Sequence, residues 1–364
     1  MKRLSSVVLI AALFLVPTLV TAAEPDSILS FDGGSGWLNG APISIADLRG
    51  KVVLVDFWEY TCINCLRTLP YLREWYKRYA ADGFVIIGVH TPEFTFSSDP
   101  KNVEAATKRL GVTWPVVLDD KDVIWNRYGT TTWPHELLFD QTGKRNDSVI
   151  GEGGYTETEQ RIQYLLKRAN PSLQLPPIMA LLPEDNYSKP GAVCYPKTEE
   201  TFVGGPHANV GNAPPQAANG GLFDSQSSLQ GLTSAMYYDK GSHTDGKIYL
   251  QGGWRKVEQG LVSVDGRPHV ALKYHAIQVV GVMRPEKGAV TVIVTQDGKP
   301  VAHDDAGPDI QYDAQGRSYM TVDAPRAYTI INNKKWGTHD LTLEPQGSGV
   351  GMFSFDFESC EVPN

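Results

Sequence analysis

An α/β domain followed by an all-β sandwich of jelly-roll character is the fold class this sequence predicts, and three observations carry it. Up to about residue 170, short apolar runs alternate with stretches whose apolar residues recur every three or four positions, the pattern of strands interleaved with helices. Five prolines then fall between Pro171 and Pro190, the composition of a boundary between folding units. Beyond them the apolar residues alternate in short runs separated by turn residues, as in a sandwich or jelly roll. A chain of 364 residues also agrees with about two domains at roughly 100–200 residues each.

The elements follow in order. Lys2 and Arg3 precede an apolar stretch from Val7 to Val20 broken by Pro17, and Thr21, Ala22 and Ala23 come before Glu24. This reads as a signal peptide over 1–23, cleaved near Ala22 or Ala23. The alternative, a retained anchor, is poorly served by a run shorter than roughly 20 residues. The α/β domain is expected over 24–170. Residues 51–58 form a near-continuous apolar run and hence a buried strand. From Cys62 to Tyr79, Leu66, Leu69, Leu72, Tyr76 and Tyr79 keep helical spacing, with a kink expected at Pro70. Strands are expected at 84–89, 114–118, 136–139 and 147–150, and helices at 101–110, 123–128 and 156–168. Residues 171–190 are a Pro-rich linker. In the second domain, 191–364, strands are expected at 246–250, 269–274, 277–283, 290–295, 318–322, 327–331, 339–343 and 352–357. Asp297-Gly298, Gln315-Gly316 and Asn332-Asn333 are the turns between some of them, and 204–221 reads as a long surface loop.

The net charge of −8 comes with no long basic run, which excludes nucleic acid as the natural partner. Four cysteines, Cys62, Cys65, Cys194 and Cys360, are too few for a disulfide scaffold. Cys62-Ile-Asn-Cys65 stands between a strand and a helix. Two cysteines three apart at a helix start can bond to each other, and the first faces free helix N–H groups that favour its thiolate. Cys62 can then attack a substrate disulfide, and Cys65 can resolve the mixed disulfide. The rival readings are half a zinc site, for which no second Cys or His pair lies at suitable spacing, and a structural bridge. No metal or cofactor is expected.

The residues around this pair carry a resemblance. Val55-Asp-Phe-Trp58, followed by the C-x-x-C, looks like thioredoxin. The resemblance implies that Asp56 is a buried acid that takes and returns the proton of Cys65. It also implies that Trp133-Pro134 is the cis-proline loop that pairs with extended substrate, with Trp114-Pro115 the competing candidate. Ala41-Pro-Ile-Ser-Ile-Ala-Asp-Leu-Arg-Gly50 resembles the TlpA-like branch of exported thioredoxins. Tyr60-Thr-Cys-Ile-Asn-Cys65, His90-Thr-Pro-Glu-Phe94 and Gly151-Glu-Gly-Gly-Tyr155 are similar to the exported C-terminal part of DipZ-type proteins. Cys194-Tyr-Pro-Lys-Thr-Glu199 and Tyr249-Leu-Gln-Gly-Gly-Trp254 resemble the carbohydrate-binding-module-like domain of that family. The resemblance implies an exported, periplasmic or secreted thiol–disulfide oxidoreductase that reduces or isomerises protein disulfides. Because only a signal peptide is expected ahead of the domain, electrons would come from a separate membrane donor of the CcdA/DsbD kind.

Two positions depart from the family pattern. Glu59 and His135 stand where small residues are expected. A charge on Glu59 would oppose the Cys62 thiolate and a protonated His135 would favour it, unless both are solvated. Ile63 and Asn64 offer no cation to Cys62, which leans towards a reductant or a mid-potential enzyme. Cys194 and Cys360 are expected to bond to each other, the alternative being two buried free thiols. Trp254 and Trp336 are candidates for stacking on a carbohydrate ligand, or else core residues. His303, Asp304 and Asp305 could form a cation site but read better as a charged turn. Two other functions stay open on the sequence: a carbohydrate- or protein-binding adaptor, and a thiol peroxidase.

Overall fold

The computed structural model describes residues 29–213, 234–265 and 267–363. The signal peptide expected over 1–23, and 214–221 of the expected loop, lie outside the described residues. The first domain contains strands β1 (Gly36–Leu38), β2 (Val52–Trp58), β3 (Phe84–His90), β4 (Val116–Leu118), β5 (His135–Phe139) and β6 (Arg145–Ile150). Its helices are α1 (Ile45–Leu48), α2 (Ile63–Tyr79), α3 (Pro100–Leu110), α4 (Val123–Tyr128) and α5 (Tyr155–Ala169). The sheet order is β1-β4-β3-β2-β5-β6. β2 runs parallel to β3 and antiparallel to β5, so it is the central strand and is buried along its whole length.

Alternation along β2 divides the core in two. Val52, Leu54 and Trp58 face a cluster with Leu69, Leu72 and Trp75 of α2 and Ile162 and Leu165 of α5. Val53, Val55 and Phe57 face the other side, with Leu48 of α1 and Ile124 of α4. Helix α2 forms because its apolar residues keep one face and because Cys62 caps its start. Lys77 and Arg78 in its last turn complement the dipole. Each fully buried Leu or Val on these faces contributes roughly 1.5–3 kcal/mol.

Residues 171–190 follow the surface of the first domain. Leu173, Leu175, Met179, Leu181 and Leu182 pack on the α2–α5 core. The Met179 amide donates to Glu159 at 2.9 Å, and the Leu182 amide donates to the Tyr71 hydroxyl at 2.9 Å. The prolines suit this path because an extended strap that pairs with side chains needs few backbone donors of its own.

Among the described residues, the second domain is built on an 11-stranded sheet that folds over on itself, beside a separate two-stranded sheet. Its strands are β7 (Val193–Cys194), β8 (Thr201–Phe202), β9 (Ser234–Tyr237), β10 (Ile248–Val257), β11 (Gly260–Ser263), β12 (His269–Pro285), β13 (Val290–Gln296), β14 (Lys299–Pro300), β15 (Gln311–Tyr312), β16 (Ser318–Val322), β17 (Arg326–Pro345), β18 (Val350–Glu358) and β19 (Cys360–Glu361). The first part of β12 pairs with β10 and its second part with β18, while β11 joins β10 to β18. The two leaves enclose a core of Leu250, Tyr274, Val294, Ile330, Leu343 and Phe355.

Three expectations are corrected here. The strands expected at 269–274 and 277–283 are one strand, β12, with a register shift near Ile277. Those expected at 327–331 and 339–343 are likewise one strand, β17, so Asn332-Asn333 is no turn. Asn333 is buried and donates to the Tyr274 hydroxyl at 3.3 Å while accepting from Gln296 at 3.0 Å. Long cross-strand pairing overrode the local turn preference of the two asparagines. Trp254 is a core residue whose indole N–H is spent on the Gln251 carbonyl at 2.8 Å, so it presents no stacking face. Trp336 packs on Tyr195 at 5.3 Å. His303, Asp304 and Asp305 form a short 3-10 turn, with Asp304 paired to Lys334 at 2.6 Å. Among the described residues no group of His, Cys, Asp and Glu could hold a metal ion, and no helix is long and apolar enough to cross a membrane.

The domains meet beside the start of α2. Phe94 and Phe96 of the first pack on Phe353 and Val282 of the second. Gln259 receives the Thr95 amide at 2.7 Å and donates to the Glu93 carbonyl at 2.9 Å. Arg67, on α2, binds Glu358 at 3.0 Å, Gln278 at 3.1 Å and Glu152 at 3.1 Å.

Candidate active site

The chain leaves β2 at Trp58 and enters α2 at Ile63, and four residues between them build the site. Glu59 is fully buried and organises this turn. One of its carboxylate oxygens accepts the Thr61 amide at 2.5 Å, the Cys62 amide at 3.0 Å and the Thr61 hydroxyl. The Cys62 amide is a donor that a helix start otherwise leaves unpaired. Cys62 is the N-cap itself: its Sγ accepts the Cys65 amide at 3.2 Å. Both cysteines are free thiols; Cys62 is half-buried and Cys65 wholly buried.

The thiols are less acidic than a helix N-terminus alone would make them. Burial pushes Cys62 up, and the hydrogen bond from Cys65 only partly offsets it, with the charges of Glu93 and Glu59 adding to the rise. Cys65 lies well above its ordinary value, first through burial and then through the neighbouring Cys62. The expected lowering at Cys62 is thus outweighed, because desolvation of a thiolate exceeds the benefit of one amide dipole.

Beneath the thiols, Asp56 on β2 is fully buried with neither carboxylate oxygen hydrogen-bonded. Its cross-strand neighbour on β5 is Glu136, also buried. Burial pushes both carboxyls upward, and the Asp56 charge pushes Glu136 further. Glu136 is a site residue that sequence reasoning missed. The available signal was a carboxylate opening the otherwise apolar run Glu136-Leu-Leu-Phe139.

The second oxygen of Glu59, which takes no hydrogen bond, faces His90, the last residue of β3, whose Nε2 lies 3.8 Å away and has no hydrogen bond either. Burial depresses His90 to about 3, so the ring is neutral and the contact is no ion pair. Tyr60 stacks on the ring at 5.5 Å.

The Trp133–Pro134 peptide is cis, and Trp133 lines the same cavity as Cys62. His135 does not approach the thiols. It is the cross-strand partner of Phe57, on the opposite face of β2 from Asp56, where it bonds Ser148 at 2.9 Å and Thr130 at 3.2 Å. Burial holds its pKa down. Neither Glu59 nor His135 is solvated, and His135 supplies no charge to Cys62.

The cavity above Cys62 has a volume of about 250 Å³. Cys62, Ile63, Asn64 and Trp133 line one side, and Glu200, Val280, Val282 and Asp356 of the second domain line the other. Cys194 and Cys360 lie elsewhere, bonded to each other between β7 and β19.

Comparison with known proteins agrees with this geometry. Residues 27–147 match the AhpC/TSA family and residues 216–357 match the family described as thioredoxin-like C-terminal domain. Protein DipZ of Mycobacterium tuberculosis is 33% identical over 329 residues, covering 89% of this chain and 42% of that protein. The chain therefore spans about two-fifths of the length of that relative. The thiol-disulfide oxidoreductase ResA of Geobacillus thermodenitrificans is 34% identical over 153 residues, covering 42% of this chain and 79% of ResA. NHL repeat-containing protein 2 of Homo sapiens is 38% identical over 130 residues, which are 35% of this chain and 18% of that protein.

Proposed function

We propose, for a chain that belongs to the thioredoxin-like family of thiol–disulfide oxidoreductases, an exported enzyme that reduces or isomerises protein disulfides through Cys62 and Cys65. One observation carries the reading: a half-buried thiol caps a helix at the floor of a cavity, receives the amide of a second, buried thiol at 3.2 Å, and sits above an unpaired buried carboxyl.

The reaction conserves atoms and electrons. The Cys62 thiolate attacks one sulfur of the substrate disulfide, and the other substrate sulfur leaves as a thiolate that takes up a proton. Asp56, sharing its proton burden with Glu136, accepts the proton of Cys65. The Cys65 thiolate then attacks Cys62 Sγ and expels the second substrate thiol. Two electrons pass from the dithiol to the substrate, and the protein is left with a Cys62–Cys65 disulfide. A separate membrane donor of the CcdA/DsbD kind restores the dithiol.

The raised Cys62 thiol supports the reducing direction, since strongly oxidising enzymes over-stabilise their thiolate. The signal-like segment over 1–23 and the Cys194–Cys360 disulfide support a periplasmic or secreted location. An insulin-reduction assay tests the proposal. The purified protein should catalyse the reaction and Cys62→Ser should abolish it; turnover that survives Cys62→Ser sinks the redox reading.

A further inference from the structure

The second domain does more than stand beside the first, because it supplies one wall of the cavity above the reactive thiol. Glu200 and Asp356 enter the cavity from that domain, and Glu93 from the segment after β3. Three carboxyls thus share the cavity with Cys62, and among the described residues no Lys, Arg or His lines it. Two cations outside the lining offset part of this: the charges of Lys197 and Arg67 act against the rise at Asp356, and Lys197 does the same at Glu200. Arg67 is held by Glu152, Glu358 and Gln278. Lys197 donates to the Phe357 carbonyl at 2.7 Å and lies 3.9 Å from Glu358.

These carboxylates are unequally satisfied. Glu200, at the rim, is held by Ser354. Asp356 accepts the Phe357 amide at 2.6 Å. The Glu93 side chain takes no hydrogen bond and no ion pair among the described residues, and burial followed by the charge of Glu200 drives its carboxyl well upward. Burial likewise raises Asp356 and Glu200, and the Asp356 charge raises Glu200 further. Carboxyls held this close are hard to ionise together, and an entering cation would favour their charged forms. Val280 and Val282 lie on the same wall. A lysine or arginine could lay its aliphatic stem against these valines while its head meets the carboxylates.

We propose that the second domain selects the substrate: the cavity favours disulfides whose cysteine is flanked by Lys or Arg and disfavours those flanked by Asp or Glu. The proposal rests on the thiol–disulfide reading above, and it assigns Glu93, Glu200 and Asp356 as specificity residues.

The test uses three cyclic disulfide peptides, alike except for Lys, Gln or Glu beside the cysteines. Each is reacted with the reduced protein, and the reaction is followed by acid quench and thiol alkylation. The Lys peptide should react about tenfold faster than the Glu peptide at low ionic strength, and added salt should narrow the ratio. Glu200→Gln and Asp356→Asn should each shrink the ratio, and Glu200→Lys should invert it. Equal rates for the Lys and Glu peptides in the unmodified protein overturn charge selection while leaving the redox reading intact. A ratio unmoved in all three variants overturns the assignment to the second domain. Inertness towards every peptide overturns the redox reading and this proposal with it.

Discussion

The two cysteine pairs of this chain differ in nearly every physical respect. Cys62 and Cys65 are three residues apart, straddle the start of a helix and open onto a cavity. Cys194 and Cys360 are 166 residues apart and join two short strands, β7 and β19, near the ends of the second domain. The first pair is placed by local geometry and has a helix start, a buried acid and a second acid around it. The second pair closes a very long loop, so its main effect is to restrict the unfolded chain. The contrast teaches that a disulfide's role follows from what surrounds it and from the length of chain it closes.

The sharpest way to break the comparison is to exchange the consequences of losing each pair. Cys62→Ser should reduce insulin-reducing activity to background, whereas Cys194→Ser with Cys360→Ser should leave it in place. The second change should instead lower stability by about 2–4 kcal/mol, read by urea unfolding. Loss of activity in that variant at a temperature where it is folded would contradict the division of roles.

Next in size is Asp56→Asn, which should slow resolution of the mixed disulfide by about 100-fold. Single-turnover quenching would show accumulation of the Cys62-linked species. The same change should stabilise the fold. Asp56 has a raised folded pKa, so the folded state binds a proton more tightly than the unfolded chain; its contribution to stability is full at low pH and is lost as pH rises through the folded value. Asp56→Asn removes that loss and should raise stability at pH 8 by about 1–3 kcal/mol, with little gain at pH 4. Glu136→Gln should do the same, because burial and the Asp56 charge raise it in the same direction. An equal gain at both pH values would place the effect in packing.

The smallest expected effect concerns the turn. Glu59→Gln keeps an oxygen for the Thr61 and Cys62 amides but removes a charge that raises the Cys62 thiol. The thiol pKa should fall, measured from the pH dependence of thiolate absorbance. A rise would mean that the turn itself had opened.

The candidate site was legible in the sequence where its chemistry is local. Asp56, Cys62 and Cys65 lie within ten residues on a strand, a turn and a helix start, and each element is marked by its own periodicity. His135 illustrates the limit. It follows Pro134 directly, yet strand alternation sends it to the far face of β2, a matter of register that no local pattern displays. Glu136 is the converse: one position further along, the same alternation brings it beside Asp56. In the second domain the short alternating runs identified β strands correctly, but two pairs of runs proved to be single long strands, because pairing partners far along the chain carried them through Asn332-Asn333.

By itself, then, the sequence determined a thioredoxin-like α/β unit, a β-rich unit after it, and a dithiol at a helix start, since these depend on patterns spanning a few residues. Only the tertiary structure decided which carboxyls meet beneath Cys65, that burial raises the thiols despite the helix dipole, and that Glu200 and Asp356 reach the cavity of Cys62 from over a hundred residues away. The physical reason is the same in each case. Strand register, desolvation and domain packing depend on which surfaces come together in space, and those partners are set by the whole fold.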